Sequence, residues 1–249
     1  MHPARIAELL QPFLSNPCHS EPGPRPGGEP ASLSATQLQS ISTYIDILQH
    51  WNARINLTAI RNEEEIVTRH FGESLFAAIH LFPKVYPVSS VASVVKDFDV
   101  DLAEARSPKA EARLADLGSG AGFPGIPIKL WAPRIALTLI ESNHKKATFL
   151  REVARSLTLM NINIQTARAE TLPPSTFDTV TLRAVERLPE ILPTAANLLA
   201  PQGRLALLLS SPQLQATRST LPHLRWRTPI PIPQSQSRIL LVGTKEPTV

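Results

Sequence analysis

Residues 114–130 read LADLGSGAGFPGIPIKL. The apolar run RLADL (113–117) passes directly into Gly118, Gly120 and Gly122, and then into PGIPIKLW (124–131). A strand, a glycine turn and a helix make the first half of a βαβ unit. The glycines allow close backbone approach to a ligand, and the helix presents its free amides to it. Outward from this point, IALTLIE (135–141), NINIQTA (161–167), FDTVTLRA (177–184) and GRLALLLS (203–210) are further β-rich runs. The helical patterns NHKKATFLREVARSL (143–157) and ERLPEILPTAANLLA (186–200) fall among them. Strands alternating with helices predict a parallel sheet. The end differs: LRWRTPI (224–230) and SRILLVGT (237–244) are joined by PIPQSQ without a helix, which permits only an antiparallel hairpin.

The glycine loop has two readings. Asp116 through Gly122 spell D-x-G-x-G-x-G, the form found in S-adenosylmethionine-dependent methyltransferases, whereas Gly120 through Gly125 also fit the dinucleotide fingerprint G-x-G-x-x-G. The C-terminal hairpin suits the former better, since it does not match the second half of a dinucleotide fold. The expected fold is therefore α/β and Rossmann-like, a methyltransferase fold with a mostly parallel sheet and an antiparallel C-terminal hairpin. Glu141, 23 residues after Gly118, ends the second strand where a ribose diol would lie. One carboxylate can accept from both hydroxyls, and both cofactor classes use that arrangement.

Helices precede this core. Residues 3–14 form a short amphipathic pattern, and 16–31 are too rich in Pro and Gly for a helix and read as a flexible connector. From Ser34, residues Leu38, Ile41, Ile45, Leu48, Trp51 and Ile55 recur three or four apart, a helical stripe. Asn62 followed by three glutamates is a helix start, running to about Leu81. Residues 83–108 read as an inserted loop. The expected divisions are 1–33, helix and connector; 34–112, helical extension; 113–249, core.

Composition narrows the classes. With 43% hydrophobic and 18% charged residues the chain supports a packed core. A single cysteine, Cys18, gives neither a disulfide framework nor a cysteine-rich zinc site, and no metal is expected. No apolar run approaches the roughly 20 residues of a membrane helix, so a cytoplasmic protein without a membrane partner is expected. Net charge is +4, but residues 201–249 hold Arg204, Arg218, Arg225, Arg227, Arg238 and Lys245 against Glu246 alone, leaving the remainder near neutral. A basic end suggests a polyanion partner, with Arg225 and Arg227 as candidate phosphate contacts. Lys145 and Lys146 open a helix where cations oppose its dipole, a local conflict pointing to phosphate contact.

Five segments in order, WNARINLTAI (51–60), VTRHFGESL (67–75), LADLGSGAGFPGIPIKL (114–130), ESNHKKATFLREV (141–153) and LRAVERL (182–188), resemble the bacterial small-subunit ribosomal RNA methyltransferase G family, also called glucose-inhibited division protein B. The resemblance implies S-adenosylmethionine-dependent methylation of N7 of one guanosine in 16S ribosomal RNA, on naked RNA or on an assembling small subunit. It implies cofactor contacts at Gly118, Phe123, Ala169 and Glu170, beside Gly120, Gly122 and Glu141 read above from the loop and the strand end, with Arg183 near the methyl-transfer region as a cofactor contact and positioning group. Asn52, Arg69 and His70 become candidates for holding RNA, with structural roles for Asn52 and His70 as the alternative. Two departures stand out: Glu73 replaces the family's usual Asp, and the fifth strand ends in Ser210-Ser211 in place of Lys-Gly. A noncatalytic RNA-binding protein and a nicotinamide-dependent oxidoreductase are the competing readings.

Overall fold

A computed structural model describes residues 1–15, 31–83, 112–183 and 187–246. Residues 16–30 of the expected connector (16–31) and 84–108 of the expected loop (83–108) lie outside the described residues. The N-terminal helices come first: α1 (Pro3–Leu14), α2 (Ala35–Asn52), α3 (Glu63–Glu65) and α4 (Glu73–Leu81), with a π-helical stretch at Ile66–Gly72 between the last two. Ser34 caps α2 in a reciprocal capping box with Gln37, so the predicted start holds. That helix ends at Asn52, one turn before Ile55. Asn62 caps α3 by accepting from the Glu65 amide.

The core alternates as predicted: β1 (Arg113–Leu117), α5 (Gly125–Trp131), β2 (Ala136–Ile140), α6 (His144–Ser156), β3 (Ile162–Gln165), β4 (Phe177–Arg183), α7 (Leu188–Leu198) and β5 (Leu199–Ser210). After α8 (Leu214–Thr220) come β6 (Leu224–Trp226), β7 (Ile230–Pro231) and β8 (Arg238–Lys245). The strand order is β3-β2-β1-β4-β5-β8-β6, with β7 also paired to β8. β1 to β5 are parallel, and β8 runs antiparallel to β5, β6 and β7. The predicted strand LRWRTPI splits in two around Thr228-Pro229, since proline cannot donate to a ladder.

Two apolar clusters cover the sheet. One joins α1, α2 and α4 to α5 and α6 through Leu10, Tyr44, Phe71, Ile126 and Phe149. The other gathers α7 with Leu182, Leu207 and Leu241. The N-terminal helices are thus built into one face of the sheet, and α1 buries Ile6, Leu10 and Phe13 there. Among the described residues, no helix is long and apolar enough to cross a membrane.

Candidate functional site

β1 ends at Leu117, and the chain turns at once through glycines of positive φ. At Gly120 (φ +54°) an added Cβ would meet only the Gly118 carbonyl oxygen, at 3.7 Å; the position is open. At Gly122 (φ +85°) it would strike Ile126 Cδ1 at 2.7 Å and the Tyr44 hydroxyl. One glycine faces space and the other faces protein. The loop is tied to β2 by the Gly118 and Ser119 amides, which donate to the Ile140 carbonyl at 2.9 and 3.1 Å. Beneath it, Asp116 is fully buried, accepting from the Gly125 amide at 3.2 Å and from the Thr181 hydroxyl at 2.9 Å. Burial pushes its carboxyl up to about 7 despite those bonds.

A cavity of about 400 Å³ opens at the carboxyl ends of β1 and β2, the ligand position of open α/β sheets. Gly118, Glu141, Ala169 and Glu170, four of the predicted contacts, converge on it. Glu141 follows β2 directly. Its carboxylate accepts from the Gly120 amide at 2.9 Å and the Asn143 amide at 2.7 Å, while also lining the cavity. Arg168 and Arg187, which sequence reasoning missed, stand at the same opening, Arg187 paired with Glu190 at 3.6 Å. Nothing in their spacing marks them; the fold brings them together.

Phe123 occupies a different environment. Its ring is buried, stacked on Tyr44 at 5.4 Å and on His70 at 4.7 Å, with Phe71 edge-on at 5.1 Å. His70 is buried too. The Arg183 guanidinium donates to its Nδ1 at 2.9 Å, and its Nε2 lies 2.7 Å from the Thr58 hydroxyl. Arginine has no acceptor, so Nδ1 carries the lone pair and Nε2 the proton. Burial, with Arg183, Arg69 and Arg238 nearby, lowers the pKa of His70 to about 3.

Arg183 ends β4 inside a knot of charge. It bonds Glu73 at 3.2 and 3.3 Å and donates to the Arg69 carbonyl at 2.6 Å. Arg238 donates to the same Glu73 oxygen at 2.9 Å. Desolvation lowers the Arg183 pKa to about 10, with Glu73 opposing. The π-helical stretch presents the Arg69 carbonyl and His70 to this one guanidinium, and Glu73 joins them from the first position of α4, consistent with the frequent placement of π-bulges at functional sites. Asn52, read from the sequence either as an RNA contact or as a structural cap, is an internal brace: it accepts from the Leu57 and Thr58 amides and donates to the Thr58 carbonyl. The Arg69, Lys145 and Lys146 side chains lie toward the surface, and Asn143 caps α6 by accepting from the Lys145 and Lys146 amides.

Arg225 and Arg227 are not brought to the cavity. Arg225 pairs across β8 and β5 with the row of Arg204 and Thr179, four residues short of Arg183. That is about 13 Å back along the strands and three strands away. Where the family's Lys-Gly would stand, the Ser211 amide donates to the Ser237 carbonyl at 2.7 Å and Gln213 accepts from Ser210. Among the described residues, no cluster of His, Cys, Asp and Glu could hold a metal.

The family profile described as rRNA small subunit methyltransferase G matches residues 37–86 and 100–220. The Ribosomal RNA small subunit methyltransferase G of Xanthomonas campestris pv. campestris (strain B100) is 37% identical over 180 residues, 72% of this chain and 72% of that protein. That of Halorhodospira halophila (strain DSM 244 / SL1) is 35% identical over 191 residues, 77% and 78% of the two chains. Among solved structures, the ribosomal protein L11 methylase of Lactobacillus delbrueckii subsp. bulgaricus shares the fold, with a TM-score of 0.52 and 15% identity over 72% of this chain and 79% of that one. With the profile matched from α2 through the glycine-loop core, the chain belongs to the rRNA small subunit methyltransferase G family.

Proposed function

We propose that this rRNA small subunit methyltransferase acts on N7 of one guanosine in 16S ribosomal RNA, in the cytoplasm, with S-adenosylmethionine as methyl donor. The observation carrying the reading is the convergence of Gly118, Glu141, Ala169 and Glu170 on one cavity at the carboxyl edge of the sheet. The donor set fits the cofactor. Gly118 lines the cavity with no side chain, and Glu141 offers a carboxylate to a ribose diol. Ala169 and Glu170 would hold the adenine end. Bound there, S-adenosylmethionine supplies an electrophilic methyl on a sulfonium.

Guanine N7 carries an in-plane lone pair and no proton, so methyl transfer to it requires no general base. The chain's task is alignment, which can supply up to about 7–11 kcal/mol in well-oriented systems. His70 fits that demand, being neutral and bonded at both ring nitrogens. Arg183, held by Glu73 and the Arg69 carbonyl, keeps the end of β4 and the N-terminal helices in one arrangement. Arg69, Lys145, Lys146, Arg168 and Arg187 are the exposed or half-buried cations offered to RNA phosphates on this side.

The test is transfer of a tritiated methyl group from S-adenosylmethionine to small subunits and to naked 16S RNA, followed by mapping of the modified base. A 7-methylguanosine is expected. Binding of S-adenosylmethionine without transfer would leave a noncatalytic RNA-binding protein, and NAD binding in its place would overturn the cofactor.

A further inference from the structure

The glycine loop is supported on two sides, and only one of them is the sheet. Backbone containing three positive-φ glycines has little shape of its own, because glycine loses the most conformational freedom on ordering. On the sheet side, the Ile140 carbonyl and Glu141 hold the amides of Gly118, Ser119 and Gly120. On the other side the contacts come from α2 and the π-helical stretch. The Tyr44 hydroxyl donates to the Ala121 carbonyl, the Tyr44 ring stacks on Phe123, and His70 stacks on the same Phe123 ring. Phe71 stands edge-on to both Tyr44 and Phe123, at 5.2 and 5.1 Å. Tyr44 is fully buried.

We propose that Tyr44 is a positioning residue for cofactor binding: by its hydroxyl and ring it fixes the Ala121–Phe123 backbone, and so sets how well the glycine loop receives S-adenosylmethionine. The inference rests on the function proposed above. Tyr44 lies behind the loop, where a Cβ on Gly122 would strike it, so its influence passes through the backbone it holds. Without the hydroxyl, the Ala121 carbonyl loses its donor and the loop must be ordered by the ligand, at a cost to affinity.

Tyr44→Phe is the direct test, because it keeps the ring and its stacking and removes only the hydroxyl. Calorimetric affinity for S-adenosylmethionine, at a temperature where the variant is fully folded, is expected to fall about fivefold, the fold-change of one ordinary buried hydrogen bond. In steady state the KM for S-adenosylmethionine should rise while kcat and the KM for RNA stay unchanged. Amide hydrogen exchange in the 118–123 loop should accelerate. Leu241→Ala, deep in the apolar cluster on the other face, is the control; it should lower the melting temperature and leave cofactor affinity unchanged. Tyr44→Phe protein that binds S-adenosylmethionine as tightly as the parent overturns the inference, as does an equal loss of affinity in Leu241→Ala. Parent protein that binds none overturns the proposed function and this inference with it.

Discussion

Arg183 and Arg225 carry the same guanidinium, and the fold gives them opposite surroundings. Arg183, at the carboxyl end of β4, has its donors fixed by Glu73, His70 and the Arg69 carbonyl. Arg225, on the edge strand β6, is exposed and sits toward the amino ends of the parallel strands, away from the cavity. A buried cation with every partner chosen fixes geometry, and removing a partner leaves an uncompensated charge. An exposed cation acts through the field around it and is screened by salt. The basic C-terminal end is conspicuous in the sequence, yet the arginines that line the cavity are Arg168 and Arg187, while Arg183 is held by Glu73.

The comparison breaks most sharply at Glu73. It is 3% exposed and shared by Arg183 and Arg238, so Glu73→Ala leaves a buried and a half-buried cation without their shared carboxylate. We expect a loss of about 3–5 kcal/mol in urea unfolding. A loss below about 1 kcal/mol would mean the knot is solvated like the edge strand.

A second experiment sharpens the contrast inside the glycine loop. Gly122→Ala should cost about 1–3 kcal/mol by overpacking against Ile126 and Tyr44, added to the strain of positive φ. Gly120→Val faces open space, so its thermal midpoint should fall less while S-adenosylmethionine binding disappears. Unchanged affinity in folded Gly120→Val protein would remove the loop from the cofactor site.

Titration probes the buried side alone. His70 has its pKa lowered from 6.5 to about 3, so its contribution to stability is present above about 6.5 and lost as pH falls toward 3. Asp116, raised from 3.8 to about 7, acts in reverse: its contribution is present below about 3.8 and lost as pH rises toward 7. Between about pH 4 and 6.5 the two oppose each other. Asp116→Asn removes one, and the stability of that variant should rise with pH across this window more steeply than the parent's. Parallel curves in denaturant titrations would show that the two groups are not set against each other.

The smallest effect belongs to the exposed pair. Replacing Arg225 and Arg227 by Ser should change stability by no more than about 0.5 kcal/mol and leave S-adenosylmethionine affinity alone. If RNA reaches the edge strand, the dependence of RNA affinity on salt should flatten by a slope of about 2. An unaltered slope would confine the RNA footprint to the carboxyl side, around Arg69, Lys145 and Lys146.

The chain's own sequence determined the alternating core, the glycine turn after β1 and the antiparallel closure, because hydrophobic period and glycine placement are local properties. It also marked Gly118 and Glu141, each just after a strand whose end must open at the same edge of a parallel sheet, whereas Ala169 and Glu170 came through the resemblance to the family. Only the tertiary structure decided that Phe123 stacks on both Tyr44 and His70, and that Arg183 meets Glu73, 110 positions away in sequence. It alone decided that Asn52 is a brace and that Arg225 stands off the site. Such pairings depend on how the N-terminal helices seat against one face of the sheet. No periodicity encodes that seating, because the helical stripe of α2 states that a face is apolar and not what will cover it.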